Sequence, residues 1–236
     1  PMKRDPTLDT LRGALLLMIA VNHFGGPLPT LTYQPLGYMT GAEGFVLVSG
    51  LAVGSLARRR AEAGRTDFAR WAWRRAGAIY LVHLAVVVAI LALATVTGPV
   101  RDFAVGRMPQ LADNPWAVLP AALALLFQPQ TNAILPLYCV LMLLAPVALG
   151  AAERRGAGPV LAVSVAAWLA VQVAWPTATL AAWGDAHGWR FGLKNPFAWQ
   201  LLFVIGLLFG RQPEFWRSLR AARPRWARWL GWVVSV

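Results

Sequence analysis

The sequence predicts an all-α protein: a polytopic transmembrane helical bundle of about seven spans, with the amino terminus in the cytoplasm. Three observations carry that expectation. Of the 236 residues, 58% are hydrophobic and only 14% charged, with a mean hydropathy of +0.52; a soluble domain carries about 25% charge. The arginines fall in blocks between apolar runs rather than within them, the asymmetry that orients helices in a bilayer. Many of the 12 tryptophans stand near the ends of those runs, where indole rings favour the headgroup layer. A formal net charge of +12 would by itself suit nucleic acid. Basic blocks alternating with apolar runs point to a lipid bilayer instead, and no nucleic-acid partner is expected.

In chain order, the first span covers residues 8–24, behind a flank holding Lys3 and Arg4. Residues 25–38 lack charge and hold three prolines, so they read as an outer loop. The second span, residues 37–57, has small-residue spacing at Gly37/Gly41 and Gly50/Gly54, which lets helix backbones approach closely. Residues 58–75 are rich in arginine and therefore cytoplasmic. The third span is residues 76–96, and residues 101–115, balanced in charge, lie outside. Residues 116–127 are apolar but too short to cross, and read as re-entrant or interfacial.

A fourth span follows at residues 135–149, then a cytoplasmic turn with Glu153, Arg154 and Arg155. Residues 159–175 go out, 177–195 form an outer loop, and 196–210 return, with Pro196 suited to a first helical turn. Residues 211–228 are again basic and cytoplasmic, and 229–236 begin a seventh span too short to cross. The expectation is one membrane domain, cut short at its carboxy terminus. Cys139 lies alone in an apolar run, without a companion for a disulfide or a metal site, so no metal is expected. The first run lacks a small-residue cleavage site, so it does not read as a cleavable signal.

The first span carries the clearest candidates. Arg12 and His23 are 11 residues apart, three helical turns, so they share one stripe and stand roughly 16 Å apart along the axis. An imidazole near the outer end suits general-base chemistry near neutral pH. Arg12 can also pair with Asp9 or snorkel to the interface. Glu43, the acid of the second span, stands near that span's outer end and is a candidate to orient His23. Arg70, Arg74 and Arg75 mark the inner end of the third span, where such a cluster can hold phosphates or lipid headgroups.

Tyr80 and His83 lie one turn apart inside that third span, with His83 read as a packed histidine or a substrate contact. Asn22, Ser49, Tyr138, Asn195 and Gln200 either line a polar cavity or bond between helices. Tyr138 and Gln200 are the better cavity candidates. His187 falls in a loop and carries no signal.

The stretch RDPTLDTLRGALLLMIAVNHFGG resembles the amino terminus of OpgC proteins, which succinylate osmoregulated periplasmic glucans. AEGFVLVSGLAVG, NAILPLYCVLMLLAP and NPFAWQLLFVIGLLFG are similar to further segments of that family, so the resemblance covers most of the chain. It belongs to the acyltransferase-three superfamily, whose first helix carries an Arg-x10-His pattern that Arg12 and His23 match. The resemblance implies a bacterial inner-membrane enzyme. Its donor would be a cytoplasmic acyl-CoA, succinyl-CoA or acetyl-CoA, and its acceptor a hydroxyl of a periplasmic glucan. No permanently bound cofactor is implied. His23 would be the catalytic histidine and Arg12 its partner; Arg74 and Arg75 fall at an Arg-rich entry to the third helix, and Ala78 stands where many members have a further Arg.

Three other functions remain open at this point: a glycan or lipid transporter, a non-catalytic subunit of a glucan-export machine, and an acyltransferase acting on another envelope polymer. Repeat symmetry and broken spans would favour the transporter, and neither is found in the sequence.

Overall fold

The computed structural model describes residues 6–24, 27–33, 39–98, 116, 119–125, 133–173 and 195–221. Every extended regular element among them is helical: α1 (Pro6–Phe24), α2 (Pro29–Thr32), α3 (Gly41–Glu62), α4 (Phe68–Val96), α5 (Leu119–Leu123), α6 (Ile134–Arg155), α7 (Ala157–Val173), α8 (Pro196–Arg211) and α9 (Pro213–Ala221). The all-α expectation holds for these residues. Two helices, α4 with 29 residues and α6 with 22, are long and apolar enough to cross a bilayer; α7 and α8 are apolar but shorter. Gly37, His187, the loop at 101–115 and the run at 229–236 lie outside the described residues.

The helices run past the limits set by hydropathy wherever a basic block begins. α3 continues through Arg58, Arg59 and Arg60 to Glu62, and α4 begins at Phe68, a full eight residues before residue 76. Arginine and alanine are good helix formers, and cations are favoured near a helix C-terminus. Arg58 adds an ion pair to Glu62 one turn on, at 2.7 Å. The stop comes from Gly64, whose φ of +68° favours glycine. The chain then turns under Asp67, which accepts from Arg60 at 2.7 Å and from Arg65 at 3.0 Å. Those two bonds, Arg65 first and then Arg60, hold the Asp67 carboxyl down to about 2.

The chain divides into two compact units. The first comprises Pro1–Ala69, Val147–Leu161 and Leu201–Val236; the second comprises Arg70–Pro146 and Ala162–Gln200. In the first unit α1 packs on α3 through two glycines. A Cβ added at Gly41 would lie 3.2 Å from the Leu15 carbonyl oxygen and 3.3 Å from Met18 Cβ, and one at Gly44 would lie 3.0 Å from Leu15. The contact moves back along α1 as α3 advances, so the two helices are antiparallel.

α8 meets α3 more closely. A Cβ at Gly50 would collide with the Phe203 carbonyl oxygen and lie 2.9 Å from Leu207 N; at Gly54 it would collide with the Leu207 carbonyl oxygen and lie 3.0 Å from Arg211 N. Gly206 and Gly210 answer from α8, against the backbone of Leu47 and Leu51. The levels advance together, so α3 and α8 are parallel, and two G-x-x-x-G stretches interlock. In a bilayer, lipid tails are as apolar as leucine, so such backbone-close packing carries the association. At the far end α9 turns back: Trp216 donates to the Gly210 carbonyl at 2.7 Å and packs with Leu8 and Val48. Arg211 pairs with Glu153 at 2.6 Å, bringing the last turns of α8 and α6 to one level.

In the second unit α4 buries a stripe running from Ala72 to Ala94. Its other side is apolar and exposed, with Leu81 66% and Val96 76% accessible; such a surface fits lipid rather than water. Cys139 of α6 donates to the Ala76 carbonyl at 3.5 Å. α5 rests on α4 through Tyr80, whose hydroxyl donates to the Leu123 carbonyl at 2.9 Å. Tyr80 is 12 residues into a 29-residue helix, so α5 lies against the middle of α4, roughly 20 Å from its start.

Candidate functional site

α1 delivers Arg12 and His23 on one stripe, as their spacing requires, and each meets a different environment. Arg12 is half-buried, with its guanidinium carbon 5.5 Å from the centre of the Phe45 ring, a cation–π distance. Its Nε is buried without a hydrogen-bond partner among the described residues. Asp9 is exposed, and no ion pair joins it to Arg12 among those residues; turning toward α3 takes the guanidinium away from it. His23 is exposed in the last turn and bonds to no described residue, so its ring is accessible to an incoming group.

The neighbours of His23 are held by hydrogen bonds. Asn22 accepts from the Thr32 hydroxyl at 2.5 Å and donates to the Thr32 carbonyl at 3.4 Å. That clasp ties the short α2 to the end of α1. Glu43 has a comparable task on α3. Its Oε2 accepts from the Thr40 backbone N–H at 2.9 Å and from the Thr40 hydroxyl, while that hydroxyl accepts from Ala42 N–H at 3.2 Å. This is a reciprocal capping box.

The described bonds do not join Glu43 to His23. Gly44 meets Leu15, which sets Glu43 at about the level of Leu15 and Leu16, and His23 lies some seven residues further along, about 10 Å at 1.5 Å per residue. The signal for the cap was present as Thr40-Gly-Ala-Glu43, the T-x-x-E pattern that opens helices. Phe45, the ring beneath Arg12, and the Gly206/Gly210 pair were also missed; the latter is a plain G-x-x-x-G.

The remaining candidates separate by environment. Ser49 is fully buried beside the Gly50 seam, with no partner for its hydroxyl among the described residues. Arg70, Arg74 and Arg75 are all exposed and lie off the buried stripe of α4, open to a soluble phosphate or a lipid headgroup. Gln200 bonds between helices: it accepts from the Ser164 hydroxyl at 2.5 Å and donates to the Ser164 carbonyl at 2.7 Å. Its amide is thereby engaged in packing rather than lining a cavity. Asn195 caps α8 by accepting from Phe197 N–H at 2.9 Å. Tyr138 and His83 are buried in the second unit.

No curated protein and no solved structure matches the chain. A family model described as OpgC protein matches residues 4–236, which takes in every helix described above and both members of the Arg12/His23 stripe. The chain therefore belongs to the OpgC family.

Proposed function

We propose that this chain is an integral-membrane O-acyltransferase that moves a succinyl group from cytoplasmic succinyl-CoA to a hydroxyl of a periplasmic glucan. The observation that carries the reading is Arg12 and His23 on one stripe of α1, in a chain of the OpgC family. It would act as one multi-pass domain in the bacterial inner membrane, crossing about seven times with its amino terminus inside. The antiparallel α1/α3 pair and the parallel α3/α8 pair support that alternation, since odd and even spans must run in opposite directions.

In this scheme His23 takes the proton of the glucan hydroxyl as the oxygen attacks the thioester carbonyl carbon. The new carbon–oxygen ester bond forms, the carbon–sulfur bond breaks, and the proton passes from the imidazole to the departing thiolate. Arg12, three turns nearer the cytoplasm, offers a fixed positive charge to the donor, with Arg70, Arg74 and Arg75 as a looser basic surface for coenzyme A phosphates. Glu43 serves the site by fixing where α3 begins, Asn22 by holding α2. Tyr138 and His83 are the candidate acceptor contacts, while Gln200, through its bond to Ser164, and Ser49, beside the Gly50 seam, serve the packing.

The test uses the full chain in nanodiscs with succinyl-CoA, acetyl-CoA and purified glucan. The reading expects free thiol released in step with glucan ester, faster with succinyl-CoA. Thiol release without ester, or neither, would sink it; ester from acetyl-CoA alone would change the acyl group.

A further inference from the structure

Arg12 carries a full positive charge into the contact between α1 and α3, and among the described residues no carboxylate answers it. Asp9, three residues earlier, is exposed and makes no ion pair with it among those residues. Instead the guanidinium carbon lies 5.5 Å from the centre of the Phe45 ring, and Nε is buried without a hydrogen-bond partner among the described residues. A charge within a membrane helix is costly and is ordinarily paired. Here its counterpart is the negative face of an aromatic ring.

The surroundings strengthen that contact. Leu8, Arg12 and Leu15 share one face of α1, at steps of four and three residues; Phe45, Val48 and Ala52 share one face of α3, at steps of three and four. Leu8 and Val48 are buried in one cluster with Trp216 of α9, and Leu15, Ala52 and Phe215 pack against it. Arg12 therefore stands between two leucines of an apolar seam, with Trp216 packed one turn nearer the start of α1. Phe45 is only 6% exposed, so its ring has a fixed place. A cation–π contact gains strength as its surroundings dry, and so does the field of the charge.

What holds an arginine decides what it can do. A carboxylate would take up its hydrogen bonds and cancel its charge. A ring face attracts the cation through its quadrupole and accepts none of the conventional N–H bonds that a guanidinium can donate. An arginine held by a ring is thus anchored and still cationic, fit to receive a phosphate or carboxylate.

We propose that Phe45 is a positioning residue: its ring holds the Arg12 guanidinium in the α1/α3 seam with the positive charge uncancelled, ready for an anionic group of the acyl donor. The identity of the donor rests on the acyltransferase reading; the hold of Phe45 on Arg12 does not.

The experiment replaces Phe45 with mono-, di- and trifluorophenylalanine in the full chain. Each fluorine drains the ring face of negative charge while nearly keeping its shape, so packing is preserved and the cation–π attraction is not. Succinyl-CoA affinity and the unfolding midpoint are then measured in nanodiscs. The dissociation constant should rise with each fluorine, by roughly threefold to tenfold over the series. The Michaelis constant for succinyl-CoA should rise with it and kcat should hardly move. In an Arg12→Gln background the series should be flat, because the two residues act as one unit.

A flat series with Arg12 present overturns the proposal, and so does a slope that survives Arg12→Gln. If the wild type binds no succinyl-CoA, the acyltransferase reading falls and the unfolding midpoint decides the positioning role. A midpoint that drops with fluorination only when Arg12 is present keeps the hold of Phe45 on Arg12; a midpoint that does not depend on Arg12 removes it.

Discussion

α3 presents one side to α1 and another to α8, and the two contacts differ in what they leave unsatisfied. Along α8 every approach is backbone on backbone: Gly50 and Gly54 against Phe203 and Leu207, Gly206 and Gly210 against Leu47 and Leu51, and the core residues Phe203 and Leu207 are almost wholly buried. Along α1 the contact is looser. Only Gly41 and Gly44 approach closely, and the polar stripe beside them keeps an Arg12 Nε without a partner and an exposed His23. A seam with no room for a methyl group cannot also admit substrate. The α1 side, with its groups unpaired, can. On α3, then, closeness of packing separates the part that holds the fold from the part available for chemistry.

Substitutions on the two sides should therefore fail in different ways. The largest effect belongs to the seam: Gly50→Leu or Gly206→Leu forces α3 and α8 apart, at a cost of about 3 kcal/mol or more. Size-exclusion chromatography should find little folded protein. Normal yield and unfolding midpoint would mean that the glycine contact is not what joins the helices. His23→Ala should do the reverse, with the same midpoint but transfer at least about 100-fold slower, as expected for removal of a general base. A lowered midpoint with proportionate activity would make His23 structural.

Glu43 sharpens the contrast because it can be read either way. As a cap, Glu43→Ala should lower stability by about 1 kcal/mol and leave turnover per folded molecule nearly unchanged. A hundredfold loss of turnover at unchanged stability would instead make it the orienting partner of His23. The smallest effect lies in the turn between α3 and α4. Asp67 has its carboxyl held at about 2, below its ordinary 3.8. Its contribution to stability is complete above about pH 4 and fades as pH falls toward 2. Asp67→Asn should flatten that part of a pH–unfolding curve, and an unchanged curve would show the Arg60 and Arg65 bonds to be without effect.

Much of this contrast was legible in the chain. The helical class followed from apolar runs separated by arginine blocks, and the Arg12/His23 stripe from simple helical periodicity. Gly50/Gly54 was visible as a packing motif, but its partner was not, because pairing between distant helices leaves no local pattern. The helices continue beyond the span limits at Arg58 and residue 76, since hydropathy reports where charge begins and not where backbone hydrogen bonding stops. Glu43 was read for its charge and depth. Its place three residues after Thr40 was the better guide, because the carboxylate is held first by the backbone N–H and hydroxyl of Thr40. The bond from Tyr80 to α5 spans 43 residues of chain, and no spacing rule reaches that far.

The most direct measurement is mass spectrometry of periplasmic glucans from a strain lacking this protein, supplied with the full-length chain as wild type or as His23→Ala. The account predicts glucan heavier by succinyl groups with the wild type and unsubstituted glucan with His23→Ala. Equal substitution in both strains would contradict it.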